Sequence, residues 1–462
     1  MNGMILITGL CLLPLSRGQA KDIPIALGGS ELPKSGCAMA SAWVRANNAE
    51  SENTLVHLSV IEKTGGKTKS RILNYTRATQ KDWSRISCWL SPAMDGTERE
   101  GLSISAPQGA EISIDKASVA TVPESMPPFD KGFIRVDGPK LLNDKEELVF
   151  VGVNMTAYSD DYKNETGPIL GFCCEEDYQE IASFGFNAVR LACWHQALMQ
   201  PGGFDWLRLQ ISFARKYGLY VILDMHAPPG GCQNPEYKGK FWNDAKGGAP
   251  LRDDLVAFWC KAAALLKGEP AIAAYDLLNE PLPKKDSQWH AYARVLVEAI
   301  RSQGAKQPIV VETSMLDDAK WPELDDKSVI YDTHWYTPWE FVAQSEKKPF
   351  GKYETELMIG GQKVVLNRDW LKSQLNEYAS WCRQRNVPMQ IGEYGVNLYA
   401  QSPEVGGLHW LLDMVSIFGE ARVSRFYWSW YPFDMGLHNG WFRRAPGVFC
   451  AEAARIAGGR VP

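Results

Sequence analysis

From residue 132 onward, short apolar runs alternate with segments whose apolar residues recur every three or four positions. Short apolar runs are typical of buried strands, and the wider spacing is typical of helices with one buried face. The strands predicted in this way are Val149–Asn154, Ala188–Ala192, Tyr220–His226, Ala273–Asn279, Pro308–Glu312, Val329–Trp335, Met389–Glu393 and Arg425–Trp430. The helices predicted between them cover residues 175–185, 204–217, 251–267, 287–303, 368–385 and 404–419.

This alternation predicts an α/β fold for residues 132–462. Eight strands that alternate with helices match a (β/α)8 barrel, or TIM barrel, which takes about 250 residues plus insertions. A doubly wound open sheet is the alternative, but no strand is followed by the glycine-rich dinucleotide motif. The barrel is therefore the fold we expect.

Residues 21–120 have a different pattern, in which apolar and polar residues alternate over short runs such as 55–60 and 102–105. Glycine-containing turns separate these runs, and this combination predicts a small all-β sandwich. Residues 121–131 contain several prolines, which favour a short and semi-rigid linker.

Residues 1–20 have the features of a signal peptide: an apolar run at 4–15, then the small residues Gly18 and Ala20 before the predicted cleavage point. The run is shorter than the roughly 20 residues that span a membrane. No basic residue precedes it, so an N-terminal anchor or a misassigned start stays open as an alternative. We expect a secreted protein, extracellular or periplasmic, with no membrane span in the mature chain.

Composition restricts the ligand class. The formal net charge is −5, and no segment is strongly basic, which argues against nucleic-acid binding. Tryptophan is abundant, with 17 residues, and indole provides a flat apolar surface that suits neutral ligands such as sugars. No cysteine spacing resembles a zinc site, so no metal is expected. We expect a monomer.

Polar or aromatic side chains end six of the predicted strands. In a barrel, the carboxyl ends of the strands carry the reactive groups. Burying such groups without partners would cost about 1–3 kcal/mol each, so a purely structural role is unattractive for the whole set. The residues selected by this reasoning are Arg190, His226, Asn279, Glu280, His334, Tyr336, Glu393 and Trp428.

Glu280 and Glu393 end different strands and would face one pocket. Retaining glycosidases need a proton donor and a nucleophilic carboxylate about 5–5.5 Å apart. One carboxyl must hold a proton while the other is ionised, and Arg190 beside Glu393 would keep that carboxylate ionised. A pair of salt bridges at the barrel rim is the structural alternative.

Four segments together resemble glycoside hydrolase family 5, the cellulase family: Leu223–His226 (LDMH), Asp276–Pro281 (DLLNEP), Asp332–Tyr336 (DTHWY) and Gln390–Gly395 (QIGEYG). The resemblance covers residues 132–450. It implies that Glu280 is the acid/base and Glu393 is the nucleophile of a retaining double displacement.

The same resemblance implies binding roles for the other selected residues. Asn279 would bind the sugar 2-hydroxyl, and Tyr336 would hydrogen-bond to the nucleophile. His226 and His334 would line the subsite at the scissile bond. Trp428 would be the stacking platform, with Trp430 as the less favoured alternative. No cofactor is needed, because two carboxylates supply both chemical roles.

This sequence also departs from the family pattern. Residues 227–233 (APPGGCQ) occupy a loop where many relatives have a second histidine. This loop and the insertion 337–367 would shape the cleft. Further subsite candidates are Trp194, His195, Trp242, Trp335, Trp339 and Trp441.

The N-terminal sandwich loosely resembles jelly-roll carbohydrate-binding modules of families 4 and 9, chiefly in residues 112–119 (ISIDKASV). Trp43, Tyr75, Trp83 and Trp89 are its aromatic candidates for sugar stacking. Tryptophan in a small sandwich is more often part of the core, so a structural appendage stays the alternative.

The function we expect is hydrolysis of a β-linked polysaccharide by a retaining endo-β-1,4-glucanase. An exo-acting β-glucosidase, a β-1,3-glucanase and a β-mannanase are the nearest alternatives. A non-catalytic glycan-binding protein is the alternative from another class, and the presence of both glutamates argues against it.

Overall fold

The computed structural model describes residues 20–27, 31–48, 54–156, 173–316, 319–431, 435–438 and 450–459. The described residues form two compact units that divide between Thr121 and Val122. The division lies one residue after the predicted end of the sandwich. The predicted signal peptide lies outside the described residues except for Ala20.

The first unit contains seven antiparallel strands. They are β1 (Ala20–Pro24), β2 (Ala38–Ala46), β3 (Thr54–Thr64), β4 (Lys67–Ala78), β5 (Ser84–Leu90), β6 (Thr97–Pro107) and β7 (Ile112–Ala120). One sheet has the order β1-β6-β3-β4, and the other has the order β5-β2-β7. Both sheets contribute to one apolar core that includes Ala42, Val44, Leu58 and Ile104. The predicted all-β sandwich is confirmed.

Gly65 and Gly66 form the hairpin turn between β3 and β4, both with positive φ. Two of the sandwich tryptophans are in cation–π contact: the Arg45 guanidinium lies 4.8 Å from the Trp83 ring centre, and Arg85 lies 5.8 Å from Trp43. Whether this unit binds a glycan stays a prediction.

The second unit contains a closed barrel of eight parallel strands. In order around the barrel they are β11 (Val151–Thr156), β12 (Ala188–Trp194), β13 (Tyr220–Ala227), β14 (Ile272–Asp276), β15 (Ile309–Glu312), β16 (Val329–Trp335), β19 (Met389–Tyr394) and β20 (Ser424–Tyr427). Each overlaps its predicted strand. The TIM-barrel prediction is confirmed.

Most helices of this unit lie between successive strands, and the last one follows the final barrel strand. They are α1 (Glu175–Ser183), α2 (His195–Met199), α3 (Gly203–Lys216), α4 (Gly248–Leu266), α5 (Asp286–Ser302), α6 (Trp339–Val342), α7 (Arg368–Arg385), α8 (Gly407–Glu420) and α9 (Ala451–Ala457). Each of the six predicted helices is present within three residues of its predicted ends. No helix among the described residues is long and apolar enough to cross a membrane.

Three short strands close the amino-terminal end of the barrel: β8 (Arg135–Asp137), β9 (Lys140–Leu142) and β10 (Glu147–Leu148). Ile134, Leu141 and Phe150 pack against the lower ends of the barrel strands in one apolar cluster. The Pro-rich segment belongs to this unit, because the Arg215 side chain donates a hydrogen bond to the Pro127 carbonyl. The amino-terminal end of the barrel is therefore apolar, and the polar side chains of the site lie at the carboxyl ends of the strands.

The second unit also contains a hairpin, β17 (Glu356–Ile359) and β18 (Gln362–Val365), within the insertion that follows β16. Met358 and Val365 of this hairpin are exposed.

Candidate active site

The eight predicted site residues lie on or directly after barrel strands, near their carboxyl ends. Arg190 is on β12, His226 on β13, His334 on β16 and Glu393 on β19. The remaining four residues follow strand ends: Asn279 and Glu280 after β14, Tyr336 after β16, and Trp428 after β20. Hydrogen bonds, ion pairs and ring contacts connect all eight residues into one cluster.

Arg190 is the centre of this cluster, and its side chain is fully buried. Its Nη1 donates to Glu393 Oε1 at 3.2 Å, and its Nη2 donates to Asn279 Oδ1 at 2.9 Å. Its other partners are Asn154, Asp224, Asp276 and Glu312, at distances of 2.8–3.2 Å. Because the buried guanidinium already has several protein partners, we expect Arg190 to position the glutamates and not to contact the sugar directly.

Glu393 lies deep in the site, with its side chain 5% exposed. Tyr336 donates its hydroxyl to Glu393 Oε2 at 2.8 Å, and His334 Nδ1 lies 3.5 Å from the same oxygen. Burial raises the pKa of Glu393, and the positive charges of His334 and Arg190 offset part of that rise. Burial together with Glu393 also raises the pKa of Tyr336, so its hydroxyl stays a donor.

Glu280 is more accessible, with its side chain 37% exposed. Its Oε1 is 2.9 Å from His334 Nδ1. Burial acts to raise the pKa of Glu280, but the hydrogen bond and charge of His334 outweigh it, so the pKa is lowered. The two glutamates and nearby carboxylates raise the pKa of His334 well above 6.5, against the effect of burial. The lowered pKa of Glu280 and the raised pKa of His334 together favour a proton on His334 over one on Glu280.

One oxygen of Glu280, one oxygen of Glu393 and a ring nitrogen of His334 all lie within 4.8 Å of one another. This separation fits the spacing of retaining glycosidases and is shorter than the roughly 6.5–9.5 Å of inverting ones. Within the described residues, these three side chains also form a group whose potential ligand atoms are close enough together to hold a metal ion. The guanidinium of Arg190 and the proton on His334 would both oppose a bound cation.

His226 and Trp428 form a stacked pair with ring centres 5.2 Å apart and planes 9° from parallel. Asp224 Oδ2 is 2.8 Å from His226 Nδ1 and fixes the ring orientation. Burial lowers the pKa of His226 to about 4, so the imidazole is neutral near neutral pH. The pair provides a flat, uncharged surface.

Three buried aspartates below the site were not selected from the sequence, although they lie within the quoted motifs: Asp224, Asp276 and Asp332. Burial and neighbouring carboxylates raise the pKa of each of them, that of Asp224 to about 7, while Arg190 opposes the rise. Asp332 Oδ1 accepts the Gly392 N–H at 2.7 Å. A Cβ on Gly392 would lie 2.4 Å from Asp332 Oδ2, which explains why glycine precedes Glu393.

Gln233 was also missed, and it supports the loop that carries Glu280. Its Nε2 donates to the Asn279 carbonyl at 2.9 Å, and its Oε1 accepts from Leu282 N at 3.2 Å. Trp242 donates to the same oxygen at 2.8 Å. The loop of residues 227–233, which departs from the family pattern, therefore stabilises the segment that carries Glu280 through hydrogen bonds.

The further subsite candidates divide by exposure. Trp194, Trp242 and Trp335 are buried, and the His195 ring packs edge-on against Phe258. Trp339 is 52% exposed, and its ring meets the Tyr336 ring at 5.7 Å and 90°. Trp441 lies outside the described residues.

A (β/α)8 barrel with two facing carboxylates at the carboxyl ends of its strands is the architecture of a glycoside hydrolase. The sequence comparison agrees with this class: residues 146–434 match the model of the cellulase family, glycosyl hydrolase family 5. The chain belongs to this family, and it is a glycosidase.

Three known proteins are similar to this chain to different extents. Endoglucanase C of Acetivibrio thermocellus is 23% identical over 304 residues, which is 58% of this chain and 87% of that protein. A glucan 1,3-beta-glucosidase of Blumeria graminis is 30% identical over 39% of this chain and 46% of its own. The crystal structure of an endoglucanase from Thermotoga maritima has a TM-score of 0.50 at 19% identity, covering 66% of this chain and 96% of its own.

Proposed function

We propose that the protein is a secreted, retaining endo-β-1,4-glucanase that acts as a monomer. The observation that carries the proposal is the pair Glu280 and Glu393, which have one carboxylate oxygen each within 4.8 Å of the other at the mouth of the barrel. The similarity to endoglucanase C supports the choice of reaction. The leader-like pattern of residues 1–20 supports export.

In the first step, an ionised Glu393 attacks the anomeric carbon while Glu280 gives a proton to the leaving oxygen. Tyr336 and Arg190 hold the two oxygens of Glu393 in place for the attack. In the second step, Glu280 removes a proton from water, which displaces Glu393. Two inversions retain the β configuration.

The proton for the first step is supplied through His334. Its Nδ1 contacts Glu280 at 2.9 Å, so a short transfer along this hydrogen bond protonates Glu280. A bound sugar chain would displace water from Glu280, and a drier site favours the neutral carboxyl.

A glucose ring fits the surfaces next to the two glutamates. The neutral pair of His226 and Trp428 provides a face for stacking. Asn279 directs its Oδ1 to Arg190, which leaves its NH2 group to bind a sugar hydroxyl.

Trp339 is proposed as a second stacking surface, because it is exposed and adjoins Tyr336. We expect Trp339→Ala to raise KM for long glucans by about fivefold with little change in kcat, since a stacked aromatic contact contributes about 1 kcal/mol. Steady-state kinetics on cello-oligosaccharides of increasing length measure this. Trp339→Phe is the matched control and should keep most of the affinity; an unchanged KM in Trp339→Ala would remove this residue from the cleft.

The pH dependence follows from the raised pKa of His334. Below this pKa the site holds its proton and above it the proton is lost, so the alkaline limb of kcat/KM should lie above about pH 6.5. In His334→Asn, Glu280 must hold the proton alone, and the alkaline limb should move to lower pH. The exposed His409→Asn is the control; an identical alkaline limb in His334→Asn would contradict the proposed proton path.

A polysaccharide panel tests the proposed function as a whole. We expect cellulose derivatives or mixed β-glucan to be cut faster than mannan, xylan and β-1,3-glucan, with oligosaccharides as the first products. Proton NMR of the first products should show the β anomer. Early monosaccharide release would indicate an exo-acting enzyme, faster mannan hydrolysis a β-mannanase, and binding without turnover a non-catalytic glycan-binding protein.

A further inference from the structure

Glu312 is a buried carboxylate at the end of β15 that the proposed mechanism does not use. Its side chain is 3% exposed. Its Oε1 accepts from Arg190 Nη2 at 2.9 Å. Burying a carboxylate is unfavourable unless it is paired and hydrogen-bonded, so each contact of Glu312 is informative.

The other oxygen of Glu312 contacts the main chain of the proposed acid/base. Oε2 accepts the Glu280 N–H at 2.8 Å. Glu280 has a φ of +43°, which is the left-handed region that strains a residue with a side chain. A charge-assisted hydrogen bond to this N–H offsets that strain and fixes where the Glu280 side chain begins.

The same oxygen also faces the partner of Glu280. His334 Nε2 lies 3.5 Å from Glu312 Oε2, while His334 Nδ1 contacts Glu280 Oε1 at 2.9 Å. Glu312 therefore contacts both the backbone of Glu280 and the imidazole that holds its carboxyl. It lies too deep to contact a sugar, at 2% exposure for the whole residue.

We infer that Glu312 is a positioning residue that holds the backbone of Glu280 and the ring of His334, and so places the acid/base carboxyl at the leaving oxygen. The inference rests on the proposed retaining mechanism. The charged and titratable groups that face Glu312 are Arg190, Asp224, Asp276, Glu280, Asp332 and His334.

Glu312→Gln is a sharp test because each oxygen of this carboxylate accepts a hydrogen bond, one from Arg190 and the other from the Glu280 N–H. These two donors require two acceptor oxygens, and an amide has only one. The NH2 group of the new glutamine would face an N–H donor, and this repulsion would displace either the Glu280 main chain or the Arg190 side chain. A displacement of about 1 Å at a reacting group can cost about 10²-fold in rate.

Two aryl β-glycosides distinguish a displaced Glu280 from a displaced Arg190. Both carry the sugar that the polysaccharide panel identifies. Phenolate is a poor leaving group that needs a proton from Glu280, whereas dinitrophenolate departs without one. Because kcat/KM reports the first step, we expect Glu312→Gln to lose about 10²-fold on the phenyl glycoside. Its kcat/KM on the dinitrophenyl glycoside should change by less than about threefold.

The ratio of the two kcat/KM values does not depend on how much of a variant is folded. The exposed Glu298→Gln, on α5, should leave the ratio unchanged, and Glu312→Asp should shift it in the same direction as Glu312→Gln. The alkaline limb for the phenyl glycoside should also move in Glu312→Gln, since one charge beside His334 is lost.

Equal losses on both glycosides would overturn the inference, because Glu312 would then act through Arg190 on Glu393. Wild-type ratios in both Glu312 variants would overturn it as well. If the wild-type protein hydrolyses neither these glycosides nor any polysaccharide of the panel, the proposed function fails instead, so the two failures are distinguishable.

Discussion

Glu393→Ala is expected to lower kcat/KM by about 10⁴-fold or more, because the first bond to the sugar can no longer form. Arg190 keeps three other carboxylate partners in this variant, Asp224, Asp276 and Glu312, so its buried charge stays compensated. The loss should therefore appear in activity and not in folding. Hydrolysis of a dinitrophenyl glycoside, with the thermal unfolding midpoint as control, measures both.

Azide provides a second measurement on the same variant. The missing carboxylate leaves space below the anomeric carbon, and azide placed there should restore turnover. Attack from that face inverts the configuration once, so the product should be the α-glycosyl azide. Full activity of Glu393→Ala without azide would exclude the double displacement.

The main features of the fold and site followed from residue patterns because both are repetitive. Most barrel strands are short apolar runs with a polar or aromatic residue at or near the carboxyl end, and parallel strands place those ends together. His334 and Glu393, which are far apart in the chain, are register partners on β16 and β19. A rule about strand ends was therefore sufficient to select residues that are in contact.

The same rule should have selected Glu312, since it ends the predicted strand Pro308–Glu312. Its importance is visible only from its two separate oxygens, which contact Arg190 and the Glu280 main chain. Gln233 could not be found at all, because its three hydrogen bonds depend on the path of an irregular loop.

The directions of the pKa shifts in the site could also not be predicted from the sequence. Motifs place Glu280, His334 and Glu393 together, but the pKa of each depends on which atoms face each other. His334 directs Nδ1 to Glu280 and Nε2 to Glu312, and this arrangement raises the pKa of His334 and lowers that of Glu280. Short elements such as β8–β10 and the β17–β18 hairpin were missed for a similar reason, because two to four residues carry no clear periodicity.

Glu280→Ala should give the second large effect, and it should depend on the leaving group. On a phenyl glycoside we expect kcat/KM to fall by about 10²- to 10⁴-fold, the usual contribution of a general acid. On a dinitrophenyl glycoside kcat/KM should stay near the wild-type value, because no proton is needed. His334 keeps Glu312 and Glu393 as partners in this variant, so the site stays folded.

The opposite stereochemistry under azide distinguishes this variant from Glu393→Ala. The covalent intermediate still forms on Glu393, but water is no longer activated, so the glycosyl-enzyme accumulates and kcat falls. Azide needs no base and attacks from the face that Glu280 occupied, so the product should be the β-glycosyl azide. An α product from Glu280→Ala, together with a β product from Glu393→Ala, would exchange the two proposed roles. Each variant therefore serves as the control for the other.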